Sequence, residues 1–346
     1  MMNFLQFLTL IQREIPRKSY TLDANIPPND PVILSQSDIS KLIDFAIVHQ
    51  PMITVLPNKK AIPMLTFLMS IGTQEQEGAF DKVLGLKDPR IEHEMIEKAL
   101  MHAKEGRTNG VKKIIFGLSG NPPTIDHLRF IQHLVETYDC VDLVLNAQSP
   151  CKEKTDYVPA EIRLEMLTEM LEAEHVDKNR YEISRVEIDR DPPSRMIATL
   201  SLLTLASPIS HRLILALGLD ALLHFEKWYQ WERLGGLCEI KFYPRPGIVL
   251  DTTQAVRILQ KMTKQGIQIT LVYHTEALKH QYQSINAQLK LPLTLIEESI
   301  ATSNRSSTEL RDYYASLSGD KDIIPPNIHP VVDRKIRALN LYGYKL

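Results

Sequence analysis

From Val111 onward, short apolar runs alternate with longer amphipathic stretches. VKKIIFGL (111–118) starts basic, turns continuously apolar and reaches a glycine. A continuous rather than alternating run suits a parallel strand buried on both faces. HLRFIQHLVETY then has helical period, VDLVLNA reads as a second strand, and AEIRLEMLTEMLEAE is a strongly periodic helix. YEISRVEI reads as strand, MIATLSLLTLA as helix, RLILALGL as strand, AVRILQKMTKQG as helix and QITLVY as strand. Strand–helix alternation with short polar connections predicts an α/β fold, a Rossmann-like doubly wound parallel sheet. Ligands of such sheets sit beyond the carboxyl ends of the strands, where the strand order switches.

The first hundred residues read differently. NIPPNDPV (25–32) is loop, because its prolines and turn formers punctuate any regular element. SQSDISKLIDFAIVHQ and IEHEMIEKALMHAKEG are helical patterns, the second stopping at Gly106, and PMITVL between them suits a strand. EGRTNG (105–110) reads as a linker. The expected organisation is therefore a smaller, mainly helical N-terminal domain over 1–108, of unknown role, and a catalytic domain over 109–346.

Composition narrows the function. A formal net charge of -2 lacks the basic footprint of a nucleic-acid binder. No stretch approaches the roughly 18 apolar residues of a membrane span. The start, MMNFLQFLTLIQREIPRK, lacks a basic opening and reads as an amphipathic helix rather than a signal peptide. Three cysteines, Cys140, Cys151 and Cys238, form no C-x-x-C pair, so a reducing, cytoplasmic setting without disulfides or a zinc site is expected.

Three segments carry chemistry. GLSGNPPTIDHLRF (117–130) is a tight loop between a strand and a helix. Its backbone N–H groups can face an anion, with the positive helix end behind them. Thr124 and His127 lie three apart and share the first helical turn. The residues alone fit equally a Gly-Pro turn with a capping threonine and a surface histidine. LGLDALLHFEKWYQWERL (217–234) puts Asp220 at a strand end, where ribose hydroxyls can be held, and Trp228 eight residues on, where it can stack on a flat ring. Trp231 suits the core. RSSTELRDYY (305–314) offers hydroxyls at a helix start, with Arg311 one turn on, which makes either a phosphate clamp or an ordinary capping box.

These segments resemble the nicotinate/nicotinamide mononucleotide adenylyltransferase family, within the nucleotidyltransferase superfamily that carries an (H/T)-x-G-H motif. Ser119, Asn121, Pro122, Thr124, His127, Leu128 and Arg129 fall on its G-S-F-N-P-x-T-x-x-H-L-R form. Gly120 departs from the usual phenylalanine, and Asp126 stands where relatives have glycine or methionine. Gly218, Asp220 and Trp228 fall on G-x-D-x-L-x-x-F-x-x-W-Y, and FYPRPG (242–247) on the R-P-G that ends the family's next strand. RSSTELR is similar to I-S-S-T-x-I-R, with Arg305 for isoleucine. Lys152 of SPCKEK falls on P-P-H-K, with Cys151 in place of its histidine. Arg163 falls on A-E-x-R-L, and Arg195 and Met196 occupy usual Tyr-Thr positions.

The resemblance spans about residues 112–343. It implies adenylyl transfer from ATP to nicotinate or nicotinamide mononucleotide, with Mg2+ bridging the phosphates and no covalent intermediate. His127 and the Gly117–Ser119–Asn121 loop would hold the α- and β-phosphates, with Thr124 standing in for the family's first histidine. Ser307, Thr308 and Arg311 would be further phosphate contacts, and Lys152 a further candidate contact with the nucleotide. Gly218 and Asp220 would receive the nucleotide, and Trp228 the pyridine. The partners implied are small-molecule substrates, with a homo-oligomer possible. Two alternatives stay open: adenylyl or cytidylyl transfer to another phosphate acceptor, and a nucleotide-binding regulatory protein with impaired catalysis.

Overall fold

The structure is a computed structural model. It describes residues 36–49, 52–55, 60–71, 89–106, 111–147, 158–190, 195–208, 210–245, 247–248, 250–300, 307–317 and 323–344. The start of the chain, most of the EGRTNG linker, Lys152 and Ser306 lie outside the described residues.

The chain forms two compact units. The first holds α1 (Gln36–His49), a two-stranded antiparallel pair of β1 (Met52–Val55) and β2 (Lys60–Pro63), α2 (Met64–Ile71) and α3 (Pro89–Glu105). Ile39, Leu42 and Ile43 of α1, Leu68 of α2 and Met95 and Ile96 of α3 are all buried, which gives this unit a core of its own.

The second unit is a sheet of seven strands, every pair parallel. In chain order it contains β3 (Val111–Leu118), α4 (Ile125–Thr137), β4 (Cys140–Leu145), α5 (Ala160–Ala173) and β5 (Tyr181–Ser184). After α6 (Met196–Ala206) come β6 (His211–Gly218), two 3-10 segments (Leu219–Lys227 and Trp231–Gly236) and β7 (Cys238–Tyr243). Then follow α7 (Thr252–Lys264), β8 (Ile269–Tyr273), α8 (Glu276–Ala287), β9 (Thr294–Glu297), α9 (Ser307–Ser316) and α10 (Pro330–Ala338).

The order β5-β4-β3-β6-β7-β8-β9 is the doubly wound arrangement that the alternation predicts. The chain leaves β3 in one direction and returns to its other side at β6, so the switch point lies between these two strands. Period-two alternation gives the sheet its faces: Ile114, Phe116 and Leu118 on β3 and Val141, Leu143 and Leu145 on β4 share one core cluster. Leu128, Ile131 and Leu134 of α4 and Met166, Leu167 and Met170 of α5 join that cluster. Helix starts follow side-chain capping, as where Asp251 accepts the Gln254 N–H at 2.7 Å ahead of α7.

The compact units are not sequence blocks. The first unit runs to Glu105, near the boundary expected at residue 108, but also takes in 189–191 and 197–209. Most of α6 thus belongs to it. Every residue of α6 from Ile197 to Leu205 is buried, and a helix apolar on all sides needs cover on all sides. Within the unit, His102 at the end of α3 lies 3.2 Å from the carbonyl of Ser207. A chain beginning at Gly110 is therefore expected to expose α6. Light scattering and thermal melting would show association and a lower midpoint than the full chain. An unchanged midpoint and a monodisperse truncated protein would show that the cover of α6 comes from elsewhere.

Candidate active site

The loop after β3 is built around glycine and asparagine. Gly120 has φ +52, in the left-handed region, and a Cβ there would lie 3.1 Å from Leu145 Cδ1. A phenylalanine would be strained at this position, which gives the departure at Gly120 a physical reason. Asn121 is buried, and its Oδ1 accepts from the Val158 N–H at 3.3 Å and the Tyr342 hydroxyl at 2.9 Å.

Beneath the loop lies Arg163 of α5, with no exposed surface. Its guanidinium donates to the carbonyls of Val158 at 2.7 Å, Asn146 at 2.8 Å and Ala147 at 2.9 Å, and also to that of Ser119. A buried charge is tolerated only when its donors are satisfied. Here one cation ties together the ends of β3 and β4 and the start of α5.

Helix α4 begins with a reciprocal cap. Thr124 Oγ1 accepts the His127 N–H at 3.3 Å, and the Thr124 N–H donates to His127 Nδ1 at 3.1 Å. An Nδ1 that accepts carries no proton, so the remaining ring donor is Nε2–H. The ring is strongly biased against charge. Burial first, and the Arg245 guanidinium second, push the His127 pKa down from 6.5 to about 4, with Asp126 opposing.

Asp126, the second departure, is turned aside by Asn327, a left-handed residue at φ 73. The Asn327 backbone carbonyl accepts the Ile125 N–H at 3.0 Å, and its Oδ1 accepts the Asp126 N–H at 3.1 Å. Its Nδ2 donates to Asp126 Oδ2 at 3.0 Å. The first N–H groups of α4 are thus bonded within the protein. The helix can offer an anion its dipole and the His127 ring rather than those amides.

Helix α9 docks onto the same loop. The Ser307 hydroxyl donates to the Pro122 carbonyl at 3.2 Å, and Arg311 donates to the Asn121 carbonyl at 3.0 Å and to Thr308 Oγ1 at 3.2 Å. Across the switch point, Gly218 ends β6. A Cβ there would lie 2.4 Å from Asp220 Oδ1, so only glycine lets that carboxylate fold back. Arg245, just after β7, donates to Asp220 Oδ2 at 2.8 Å. Trp228 is half-buried, with its ring 5.1 Å from that of Phe225, whereas Trp231 is buried in the core.

The structure therefore gathers Gly117, Ser119, Asn121, Thr124, His127, Ser307, Thr308 and Arg311 around one loop, with Gly218 at the end of the neighbouring strand and Asp220 in the 3-10 segment that follows it. Trp228 lies against Phe225. Four contributors have no role in the sequence reading. Arg245 lies within the quoted R-P-G stretch, and Arg163 within A-E-x-R-L. Asn327 and Tyr342 lie in the terminal stretch IIPPNIHPVVDRKIRALNLYG, whose likeness to the family's V-P-x-x-V-x-x-Y-I-x-x-x-x-L-Y end gives neither a role, and their partners lie 201 and 221 residues away.

A glycine-bearing loop at the switch point of a parallel sheet, beside an imidazole and a cluster of hydroxyls and a guanidinium, brings together groups whose chemistry suits an anion. The cytidylyltransferase-like family model matches residues 116–312, more than half of the chain. The probable nicotinate-nucleotide adenylyltransferase of Bacteroides thetaiotaomicron is 32% identical over 161 residues, which cover 45% of this chain and 77% of that protein. The protein of the same description from Shewanella baltica is 26% identical over 215 residues, 61% of this chain and 92% of the relative. The chain belongs to the cytidylyltransferase-like family and, within it, to the nicotinate-nucleotide adenylyltransferases. Its fold is that of a solved Plasmodium falciparum nicotinic acid mononucleotide adenylyltransferase complexed with NaAD, with a TM-score of 0.50 at 17% identity. That match covers 68% of this chain and 98% of the other.

Two outcomes are expected. The ring C–H resonances of His127 should titrate near pH 4 rather than 6.5. Because the folded pKa lies below the unfolded one, the unfolded chain takes up this proton first, and the group's contribution to stability is lost as pH falls from 6.5 toward 4. A titration near 6.5 would contradict the enclosed, neutral ring. Arg163→Met should strand several buried carbonyls at a cost of at least about 3 kcal/mol. In a domain of this size that lowers the melting midpoint by roughly 6–12 °C, readable by calorimetry.

Proposed function

We propose that this protein transfers the adenylyl group of ATP to nicotinate mononucleotide, or to its nicotinamide counterpart, and releases pyrophosphate. A mononucleotide phosphate oxygen attacks the α-phosphorus of ATP, the new phosphoanhydride bond forms, and the bond to the β-phosphate oxygen breaks. The observation that carries this reading is a neutral His127, its Nε2–H as the ring's donor, beside a loop onto which Ser307 and Arg311 are docked.

Catalysis here is positioning and charge stabilisation. His127 donates to the oxygens between the α- and β-phosphates, where charge develops, and the N–H groups of Gly117–Asn121 line the same anion. Thr124, its hydroxyl engaged with His127, acts by holding the imidazole in place. Ser307, Thr308 and Arg311 take the β/γ end. Asp220 receives ribose hydroxyls over Gly218, and Trp228 stacks on the pyridine. Mg2+ enters with ATP as part of the substrate; among the described residues no group of three or more His, Cys, Asp or Glu side chains gathers to hold it.

The test is magnesium-dependent pyrophosphate release from ATP with nicotinate mononucleotide, nicotinamide mononucleotide and phosphopantetheine as acceptors, and with CTP replacing ATP. Turnover is expected with ATP and a pyridine mononucleotide. Preference for CTP or for the other acceptor would overturn the reading, and inertness toward every pair would favour a regulatory protein. His127→Ala should keep the melting midpoint within a few degrees and lower kcat roughly 10²–10³-fold, the usual cost of removing one preorganised donor.

A further inference from the structure

Between α4 and β7 lies a buried charge that the chemistry above does not use. β7 is an inner strand, and every residue from Ile240 to Tyr243 is buried. One of them is Lys241, whose side chain is 6% exposed. Its ammonium donates to the Glu298 carboxylate and, at 2.8 Å, to the Tyr138 hydroxyl. Burial raises the pKa of Glu298, but His133 and Lys241 outweigh it and hold the carboxyl below its ordinary value. His133 Nε2 lies 2.8 Å from Glu298 Oε2, and because an ionised carboxylate only accepts, that nitrogen carries the proton. Tyr243, two residues along β7, packs edge-on against Phe130 of α4, with ring centres 4.7 Å apart, and lies 6.3 Å from the His133 ring.

An apolar side chain at position 241 would pack without this desolvation cost, and a buried ion pair is weak evidence for stability. What the triad supplies is a fixed separation between three parts of the chain. His133 lies on α4, almost two turns beyond His127. Lys241 lies on β7, whose end leads to Arg245. Glu298 directly follows β9, is tied to β8 by its N–H donating to the Tyr273 carbonyl at 3.0 Å, and begins the stretch that leads to Ser307 and Arg311. Tyr138, the C-cap of α4, adds a second tie from that helix to Lys241. The elements that bear His127 and Arg245, and the stretch leading to Arg311, thus meet at one buried cluster.

We propose that Lys241, Glu298 and His133 are positioning residues for adenylyl transfer: they clamp α4 to β7 and to the chain after β9, and so hold His127 beside Arg245 without touching substrate. This rests on the adenylyl-transfer reading above and extends it to residues remote from the reacting atoms. Enclosure first, and the Arg245 guanidinium second, keep the His127 imidazole neutral. A loosened clamp is therefore read twice, in turnover and in the titration of His127.

The test compares the full chain with Lys241→Met combined with Glu298→Leu, which removes both charges and nearly keeps the volume, and with His133→Gln and His133→Leu. Replacing a buried ion pair by apolar groups is often neutral or stabilising, so the double variant should melt within a few degrees of the full chain or above it. Its kcat should nonetheless fall roughly 10–100-fold, the scale of a misplacement of about 1 Å, with KM for ATP and for the mononucleotide changed less than about threefold. Its His127 ring resonance, assigned by its loss in His127→Ala, should titrate above about 4 and closer to 6.5. His133→Gln, which still donates to Glu298, should keep most of the turnover that His133→Leu loses, and this pair serves if the double variant folds poorly. An unchanged kcat or an unchanged His127 titration in a folded variant, a kcat that falls only in step with the melting midpoint, or His133→Gln as impaired as His133→Leu would overturn the assignment while leaving adenylyl transfer intact. Failure of the unaltered protein to transfer adenylyl groups would instead overturn the functional reading, and the His127 titration would still decide whether the cluster holds α4 in place.

Discussion

A single buried guanidinium organises the switch point of this sheet. Parallel strands end with carbonyls that no neighbour in the sheet can satisfy, and at β3 and β4 the chain turns away into loops. Arg163 collects those carbonyls, from Ser119, Asn146, Ala147 and Val158, into one set of charge-assisted bonds. Without it, buried polar backbone would face a core with no donors. With it, the loop after β3 has one shape, and that shape fixes Asn121. Asn121 in turn is the point where the Tyr342 hydroxyl and the Arg311 guanidinium arrive from the far end of the chain. The loop after β3 therefore depends on residues from three widely separated stretches, and its rigidity follows from their convergence.

The chemistry depends on keeping charge balanced around that rigid loop. A protonated His127 would attract phosphate more strongly, yet burial and the nearby Arg245 hold the ring neutral. A neutral donor hydrogen-bonds to an anion without retaining a full ion pair after the bond to pyrophosphate breaks, which favours product release. The positive charge beside the loop comes from Arg311 and the helix dipole instead. Arg245 serves two neighbours at once: it pairs with Asp220 and discourages protonation of His127.

Much of this fold is legible in the sequence because its central strands are buried on both faces. Ile114–Phe116 and Leu213–Leu217 read as unbroken apolar runs, and the helices between them show strong stripes. Legibility fades toward the edge. β9 half-buries Leu295 and exposes its other residues, and α8 buries just Tyr282 and Ile285, so neither has a pattern to betray it. The 219–236 stretch has helical apolar spacing but folds as two 3-10 segments separated by left-handed Gln230, a break set by backbone geometry rather than composition. Within the site, residues that act through local motifs, such as Thr124 and His127, can be read from spacing. Asn327 cannot, because its role arises from a left-handed backbone meeting α4 across 201 residues.

The departures at Gly120 and Asp126 show how one site can change its residues and keep its geometry. Each could be expected to damage a phosphate site, the first by loosening the loop and the second by placing a carboxylate beside it. The structure accommodates each locally. Gly120 occupies a left-handed conformation in which a side chain would be the strained choice, so loop order comes from Arg163 and Asn121 rather than from bulk at this position. Asp126 is bonded through both its N–H and its carboxylate to Asn327, which draws the charge into the helix-capping arrangement, where a negative group at a helix start is favourable. The cost of holding Asn327 at positive φ is modest for asparagine and is offset by the bonds it makes to Ile125 and Asp126. Substitutions that look disabling in a motif thus become part of the scaffold when a distant residue supplies the partner they need.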